Sequence, residues 1–237
     1  MNRTLITRIF MLLLLITTAT VNGQITWPGE KKLAGATTLD QLQDAFTQDT
    51  SAYGRRYLVQ ALPFFVEKNK ITAAPPAWLI KEISRAVMSD DPDLALEGIL
   101  ATRKLNIHSL SDTLVKVYRK VRMRWVGQRP RYHMLIVGCL VSFNDAASRQ
   151  ALMNISATPL PPAIAEDVVP ALKGVSKIGD STCVNALTVL SARLKSSQDS
   201  IAAFRFGADT ATAYKLGRMC AFVDGIKKKV QARGSVR

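Results

Sequence analysis

The sequence contains few of the residues on which most enzymes and disulfide-stapled domains depend. Its 237 residues include 2 histidines and 3 cysteines, and aromatic residues make up 7% of the chain. Cys139, Cys183 and Cys220 lie far apart, whereas a disulfide-stapled domain would be shorter and richer in cysteine. We therefore predict that all three are small buried hydrophobic residues. A single disulfide with one leftover thiol is the alternative.

Catalytic and metal-binding motifs are also missing from the sequence. The chain contains no HExxH, CxxC, GxSxG or GxxxxGK(S/T) motif, so it lacks zinc, nucleophile-elbow and phosphate-loop signatures. His108 and His133 have no second histidine or cysteine at ligand spacing, and we interpret both as surface or helix-capping residues. The acid pairs Asp90-Asp91 and Glu166-Asp167 each begin a predicted helix, where the N-terminal partial charge stabilises anions. We predict a protein that is not an enzyme and binds no metal or cofactor.

The N-terminus has the pattern of a secretory signal peptide. Arg3 and Arg8 supply positive charge, an apolar run follows over 9–16, and small residues end at Gly23. The apolar run is shorter than the roughly 20 residues of a membrane-spanning helix, which argues against the alternative of a membrane anchor. We expect cleavage near Gly23, so that residues 1–23 are removed and the protein is exported, either to the periplasm or into the medium.

Positive charge dominates the rest of the chain. The full sequence carries 32 Lys and Arg against 18 Asp and Glu, and loss of the two leader arginines leaves a net charge of about +12. Such an excess favours anionic partners, which include acidic proteins, phospholipid headgroups, acidic polysaccharides and nucleic acid. The choice among them depends on where the basic residues lie.

Helical periodicity extends over nearly the whole mature chain, and the predicted helices form two interleaved series. The helices begin near Ala36, Pro75, Leu110, Asp145 and Ser181 in one series, and near Ser51, Asp91, Pro130, Pro162 and Gln198 in the other. Starts in each series recur every 32 to 40 residues, which is typical of stacked helix pairs. We therefore predict an all-α fold, an α-solenoid of about five helix pairs over 36–226. A polar lead over 24–35 precedes it, and a basic C-terminal tail over 227–237 follows.

Two local patterns point to one repeat family. A helix is predicted to begin just after Gly179-Asp180, and the Ala-rich helix that follows ends in Leu216-Gly217. An aspartate precedes an arginine by six residues at two predicted turns, namely at Asp49 with Arg55 and Asp199 with Arg205. Both patterns resemble HEAT repeats, especially the short bacterial HEAT-like unit, which typically has an aspartate in the turn between its helices and an arginine six residues later.

The resemblance covers about residues 36–222 and implies a right-handed α-solenoid that serves as a scaffold. The second helices of HEAT-like pairs usually line the concave side of the solenoid. The resemblance therefore implies that five arginines lie near a groove, namely Arg55, Arg56, Arg131, Arg205 and Arg218. At Asp91 the turn aspartate is present, but Glu97 stands where the arginine should be, and the middle repeats lack the pair. Armadillo-like and unrelated helix-pair solenoids are therefore alternatives.

The densest cluster of positive charge lies on one predicted helix and the turn after it. No acidic residue occurs over 113–144. The cluster consists of Lys116, Arg119, Lys120, Arg122, Arg124, Arg129 and Arg131. The first three face away from the predicted apolar stripe of the helix. The cluster is either a solvated face whose cations stabilise the helix C-terminus, or an anion-binding patch. The absence of acids supports the patch, because a solubilising face usually mixes charge signs.

The C-terminus is the second basic segment. Lys227, Lys228 and Lys229 follow the last apolar stripe, and Arg233 and Arg237 come after them. These residues belong either to a capping helix, whose outer face must be polar, or to a basic tail that contacts acidic surfaces.

These features predict an exported, non-catalytic scaffold that docks an acidic or envelope-associated protein through its helical surface. The alternative partner is an acidic polymer or an anionic membrane surface, bound through the basic residues. A DNA-acting HEAT-like glycosylase is a remote alternative. Export argues against it, and Tyr132 is the one aromatic placed to stack on a base.

Overall fold

The computed structural model describes Leu33 and residues 35–48, 51–124, 129–157, 168–203 and 210–234. Ten α-helices and one 3-10 turn occupy these segments, and no strand occurs within them, so the described part of the chain is all-α, as predicted. The predicted signal peptide lies outside the described residues. None of the helices described is long and apolar enough to cross a bilayer.

Most of the described helices are short, with 10 to 17 residues. In chain order they are α1 (Leu39–Gln48), α2 (Ala52–Lys68), α3 (Ala77–Val87), α4 (Pro92–Lys104), α5 (Ser111–Arg124), α6 (Arg129–Phe143), α7 (Ala146–Ser156), α8 (Val169–Ile178), α9 (Thr182–Ala203) and α10 (Thr210–Gly234). The 3-10 turn His108–Leu110 precedes α5. Eight of the ten predicted helix starts lie within three residues of an observed start.

The other two predicted starts differ from the structure. The helix predicted to begin near Pro162 corresponds to α8, which is described from Val169 onward. Pro162 itself lies outside the described residues. No helix begins at Gln198, because α9 continues unbroken past it. The prediction of a start there was wrong. Polar residues over 196–199 resemble a capping sequence, yet the half-buried Leu194 and Ile201 extend the apolar spacing of α9 through them.

Proline and polar residues fix the helix boundaries elsewhere. Asp91 is the N-cap of α4, where its side chain accepts hydrogen bonds from two first-turn amides and Pro92 follows it. Asp145 caps α7 by accepting a 2.7 Å hydrogen bond from the amide of Ser148. Pro63 lies inside α2, and the helix continues past it to Lys68.

The chain divides into two compact units, residues 1–73 and 74–237. In the first unit α1 packs on α2. The core of this pair consists of Leu42, Ala45, Phe46, Leu58, Leu62 and Phe65.

In the second unit the helices pack in four consecutive pairs: α3 with α4, α5 with α6, α7 with α8, and α9 with α10. The first helices of successive pairs also pack on one another, and so do the second helices. We call α3, α5, α7 and α9 the first-helix row, and α4, α6, α8 and α10 the second-helix row. Residues buried in this unit include Leu79, Ile83, Ile99, Leu114, Ile136, Leu140, Leu152, Leu172, Leu187 and Val223.

Two neighbouring helices of the second-helix row, α4 and α6, run in the same direction. The Tyr132 hydroxyl near the start of α6 donates a hydrogen bond to the Pro92 carbonyl at the start of α4. Further along, a Cβ built on Gly138 of α6 would lie 3.7 Å from Nη1 of Arg103, near the end of α4. One contact joins the starts of the two helices and the other joins residues further along both chains. The two helices are therefore parallel.

Candidate functional site

The predicted basic cluster contains both exposed and structural cations. Lys116 and Arg119 are exposed on α5, and Arg131 is exposed on α6. The structure describes no side chain over 121–130. Three predicted members of the cluster therefore lie outside the described side chains, namely Arg122, Arg124 and Arg129. Three predicted members of the cluster are therefore available to solvent in the part of the chain that is described.

Lys120 caps the C-terminus of α3. Its ammonium donates hydrogen bonds to the carbonyl oxygens of Met88 at 2.8 Å and Ser89 at 2.9 Å, and it pairs with the Asp90 carboxylate at 2.8 Å. The side chain keeps only 17% of its accessible surface. The prediction that Lys120 faces solvent is wrong, because the unsatisfied carbonyls at a helix C-terminus attract a cation from the next helix.

The arginines predicted near a groove are spread over both units. Arg55 and Arg56 are half-buried on α2, and both already interact with other residues. Arg218 is exposed on α10, and its guanidinium carbon lies 6.0 Å from the ring centroid of Tyr214. Arg205 lies outside the described residues.

Two residues expected at the surface are buried. Tyr132 is fully buried against α4 and offers no surface for base stacking. His133 is 2% exposed, and its ring stacks on Tyr118 with the ring centroids 3.8 Å apart. Both follow arginines in the sequence, but the turn of α6 directs them toward the neighbouring helices.

His108, Asp145 and Ser148 form a chain of hydrogen bonds between the start of α5 and the start of α7. Nδ1 of His108 is hydrogen-bonded to one carboxylate oxygen of Asp145, and the Ser148 hydroxyl donates to the other at 2.6 Å. The His108 ring also stacks on Phe143. The order differs from a nucleophilic triad, since the fully buried Ser148 bonds to the aspartate and not to the histidine. The arrangement is therefore a helix cap.

The electrostatics of Asp145 agree with a capping role. Burial alone would raise the pKa of its carboxyl group, but the hydrogen bonds from Ser148 and His108 outweigh that effect and lower the pKa to about 2. The carboxylate is thus ionised at neutral pH, as a cap that accepts hydrogen bonds requires.

The C-terminal basic segment is largely helical. Residues 227–234 continue α10, and Val230 among them is fully buried. Arg233 donates hydrogen bonds to the carbonyl oxygens of Ser176, Lys177 at 2.9 Å and Gly179 at 3.3 Å. Arg233 therefore caps α8, while Lys228 and Lys229 are exposed on the outer side of α10.

The cysteines are free thiols. Cys139 and Cys183 are buried, as predicted, and Cys220 is half-buried. Burial raises the pKa of Cys139 to about 12, despite the opposing charge of Arg103. A thiol with such a pKa is a poor nucleophile at neutral pH.

The second-helix row exposes cations that no sequence motif indicated. Arg103 and Lys104 end α4, and Lys173 and Lys177 lie one turn apart on α8; all four are exposed, as is Arg131 on α6. Within the described part of the chain none of these five residues forms an ion pair. In the sequence, only the spacing of one cation per turn on α8 indicated an exposed basic face. Such spacing within a single helix is weak evidence for a binding surface.

The described residues contain no group of three or more His, Cys, Asp or Glu side chains that could hold a metal ion. Comparison with known protein families, curated protein sequences and solved structures found no match to this chain.

Proposed function

We propose that the chain is an exported, non-catalytic binding protein whose second unit is an α-solenoid. The packing of four consecutive helix pairs in two rows supports the solenoid, because each pair buries its apolar stripe only against its neighbours. The pair α1 and α2 forms a compact unit of its own. The signal-peptide pattern over residues 1–23 supports export.

Polar contacts between successive pairs also support the solenoid. Lys120 of the second pair caps the first helix of the pair before it, and Arg233 caps α8 in the same manner. His108 bonds to Asp145, the N-cap of the next first helix, and Arg149 pairs with Asp180 just before α9. At least one such contact lies at each of the three junctions between successive pairs, as expected when the pairs stack on one another along the unit.

The HEAT-like character of the repeats is part of the proposal. Asp91 supports it, since this turn aspartate caps the second helix of its pair. Asp199 does not, because it lies inside α9 and not in a turn between two helices. The architecture rests on the packing of the pairs more than on this spacing.

The proposed activity is docking of an acidic or envelope-associated protein. The observation that carries it is the set of exposed cations on α4, α6 and α8 that form no ion pair within the described residues, because solvent-exposed charge of one sign speeds the encounter with an oppositely charged partner. An acidic polymer or an anionic membrane surface is the second candidate. The exposed Lys228 and Lys229 of α10 favour it.

The proposal is tested by capture experiments with the mature protein, residues 24–237. Immobilised protein is incubated with soluble and membrane envelope fractions of its source, and washed at about 0.05 M and at about 0.3 M salt. Recovery of one defined protein at the higher salt, followed by saturable binding of that protein in purified form, supports the proposal. Retention of polysaccharide or lipid alone, lost at the higher salt, contradicts it in favour of the second candidate.

A further inference from the structure

The outward face of α6 is part apolar and part basic. Its exposed and half-buried residues recur at helical spacing: Arg131, Met134, Leu135, Gly138 and Val141. Met134 is 70% exposed, the joint largest value among the large hydrophobic residues that the structure describes. The opposite side of α6 is buried, so the exposed stripe is the one face of this helix that remains for a partner.

The helices on either side of α6 extend this face. Arg103 and Lys104 are exposed on α4, and Lys173 and Lys177 are exposed on α8. The first-helix row packs against one side of α4, α6 and α8. The exposed sides of these three helices therefore point the same way. Arg103 reaches across to α6, where Gly138 has no side chain to obstruct it.

The charge of this face is strongly one-sided. Neither α6 nor α8 contains an acidic residue. The acids of α4, Asp93 and Glu97, are half-buried in its N-terminal half, and both already interact with other residues. The face therefore combines an apolar centre at Met134 with cations on both sides.

This combination selects the chemistry of the ligand. A polysaccharide or a phosphate backbone needs cations alone and gains nothing from an exposed methionine. A polypeptide with both acidic and apolar side chains matches both parts, and the flexible thioether of methionine adapts to varied apolar side chains. We propose that the face formed by α4, α6 and α8 binds an acidic polypeptide segment that also carries apolar residues. This inference rests on the proposed binding function and assigns it to a surface.

The test uses the mature protein and defined probes. Fluorescence anisotropy is measured with a synthetic 16-residue peptide of Glu, Asp, Leu and Phe, with a matched peptide in which Ser replaces Leu and Phe, and with a heparin fragment. Three variants are compared with the wild type. The first is a triple charge reversal, Arg103→Glu, Arg131→Glu and Lys173→Glu together, and the second is Met134→Ser alone. The third is the matched control on α5, a double reversal of Lys116→Glu with Arg119→Glu. Circular dichroism checks that each variant keeps its helical content.

We expect the acidic, apolar peptide to bind, the triple reversal to weaken it about 30-fold or more, and Met134→Ser to weaken it about threefold. The control reversal on α5 should change the affinity less than about twofold. The inference is overturned if no peptide binds, if the Ser-containing peptide binds equally well, if heparin binds more tightly than either peptide, or if the α5 control has the larger effect. A partner recovered by capture but indifferent to the triple reversal would sink this surface assignment and leave the proposed function standing.

Discussion

Nε of Arg149, on α7, lies 2.9 Å from a carboxylate oxygen of Asp180, in the short connection between α8 and α9. The Asp180 carboxylate also accepts hydrogen bonds from the amide and hydroxyl of Thr182 in the first turn of α9. These hydrogen bonds, with the charge of Arg149, lower the pKa of Asp180 although burial opposes them. One carboxylate thus caps a helix and joins two helix pairs, as Asp145 does one junction earlier.

The cap that Lys120 provides should contribute measurably to stability. We expect Lys120→Met to lower the free energy of unfolding by about 1–3 kcal/mol, because the carbonyls of Met88 and Ser89 lose a charged donor. Lys116→Met, on the exposed side of the same helix, should change it by less than about 0.5 kcal/mol. Urea denaturation followed by circular dichroism measures both. Equal effects of the two substitutions would refute a capping role for Lys120.

Stability should fall at acid pH as the Asp145 carboxylate is protonated. The pKa of this group is lowered from 3.8 to about 2 in the folded protein, so its contribution is complete above about pH 4 and is lost as the pH falls toward 2. We therefore expect the difference in urea midpoint between the wild type and Asp145→Asn to shrink between about pH 4 and about pH 2.5. A difference that stays constant over that range would show that Asp145 is not the titrating cap.

Two glycines should respond to alanine in opposite directions. A Cβ on Gly98 of α4 would lie 2.6 Å from the backbone nitrogen of Val87, so Gly98→Ala forces α3 and α4 apart and should cost about 1–3 kcal/mol. Gly225 of α10 has open space around it, and Gly225→Ala should stabilise the protein by about 0.5–1 kcal/mol through lower chain entropy. Thermal unfolding compares the two, and a neutral Gly98→Ala would contradict the close packing of α3 on α4.

The three cysteines should react with thiol reagents at different rates. We expect the half-buried Cys220 to be labelled first in the folded protein, and Cys139 to resist labelling near pH 8 because burial raises its pKa to about 12. Iodoacetamide labelling followed by peptide mass spectrometry measures the order. An intact mass that shows a disulfide, or rapid modification of Cys139, would overturn this prediction.

Local chemistry explains which parts of the fold could be predicted from the sequence. Asp91 and Asp145 combine a capping side chain with a following helical pattern, and the helices begin where these residues indicate. The false start at Gln198 has the same local signal, but packing of α9 on α10 continues the helix through it. Capping residues therefore predict a helix boundary only where no neighbouring helix stabilises the alternative.

The candidate site was less predictable because it depends on residues far apart in the chain. Lys120 resembles its exposed neighbours in sequence, and only the position of the α3 C-terminus makes it structural. Arg103 and Lys173 are each unremarkable within their own helices, and Arg131 was predicted as part of the basic cluster on and after α5 and of a concave groove, not as a neighbour of the other two. They become one surface through the stacking of α4, α6 and α8, which sequence spacing alone does not specify.

The most direct test of the binding role is the salt dependence of affinity for the protein captured from the envelope. The mature chain and the purified partner are titrated by isothermal calorimetry between about 0.05 M and about 0.3 M salt. We expect saturable binding at a fixed stoichiometry that weakens with salt but persists at the upper limit, because apolar contact at the interface is not screened. Binding that disappears at the upper limit, or an affinity for heparin or anionic vesicles that exceeds that for any envelope protein, would contradict it.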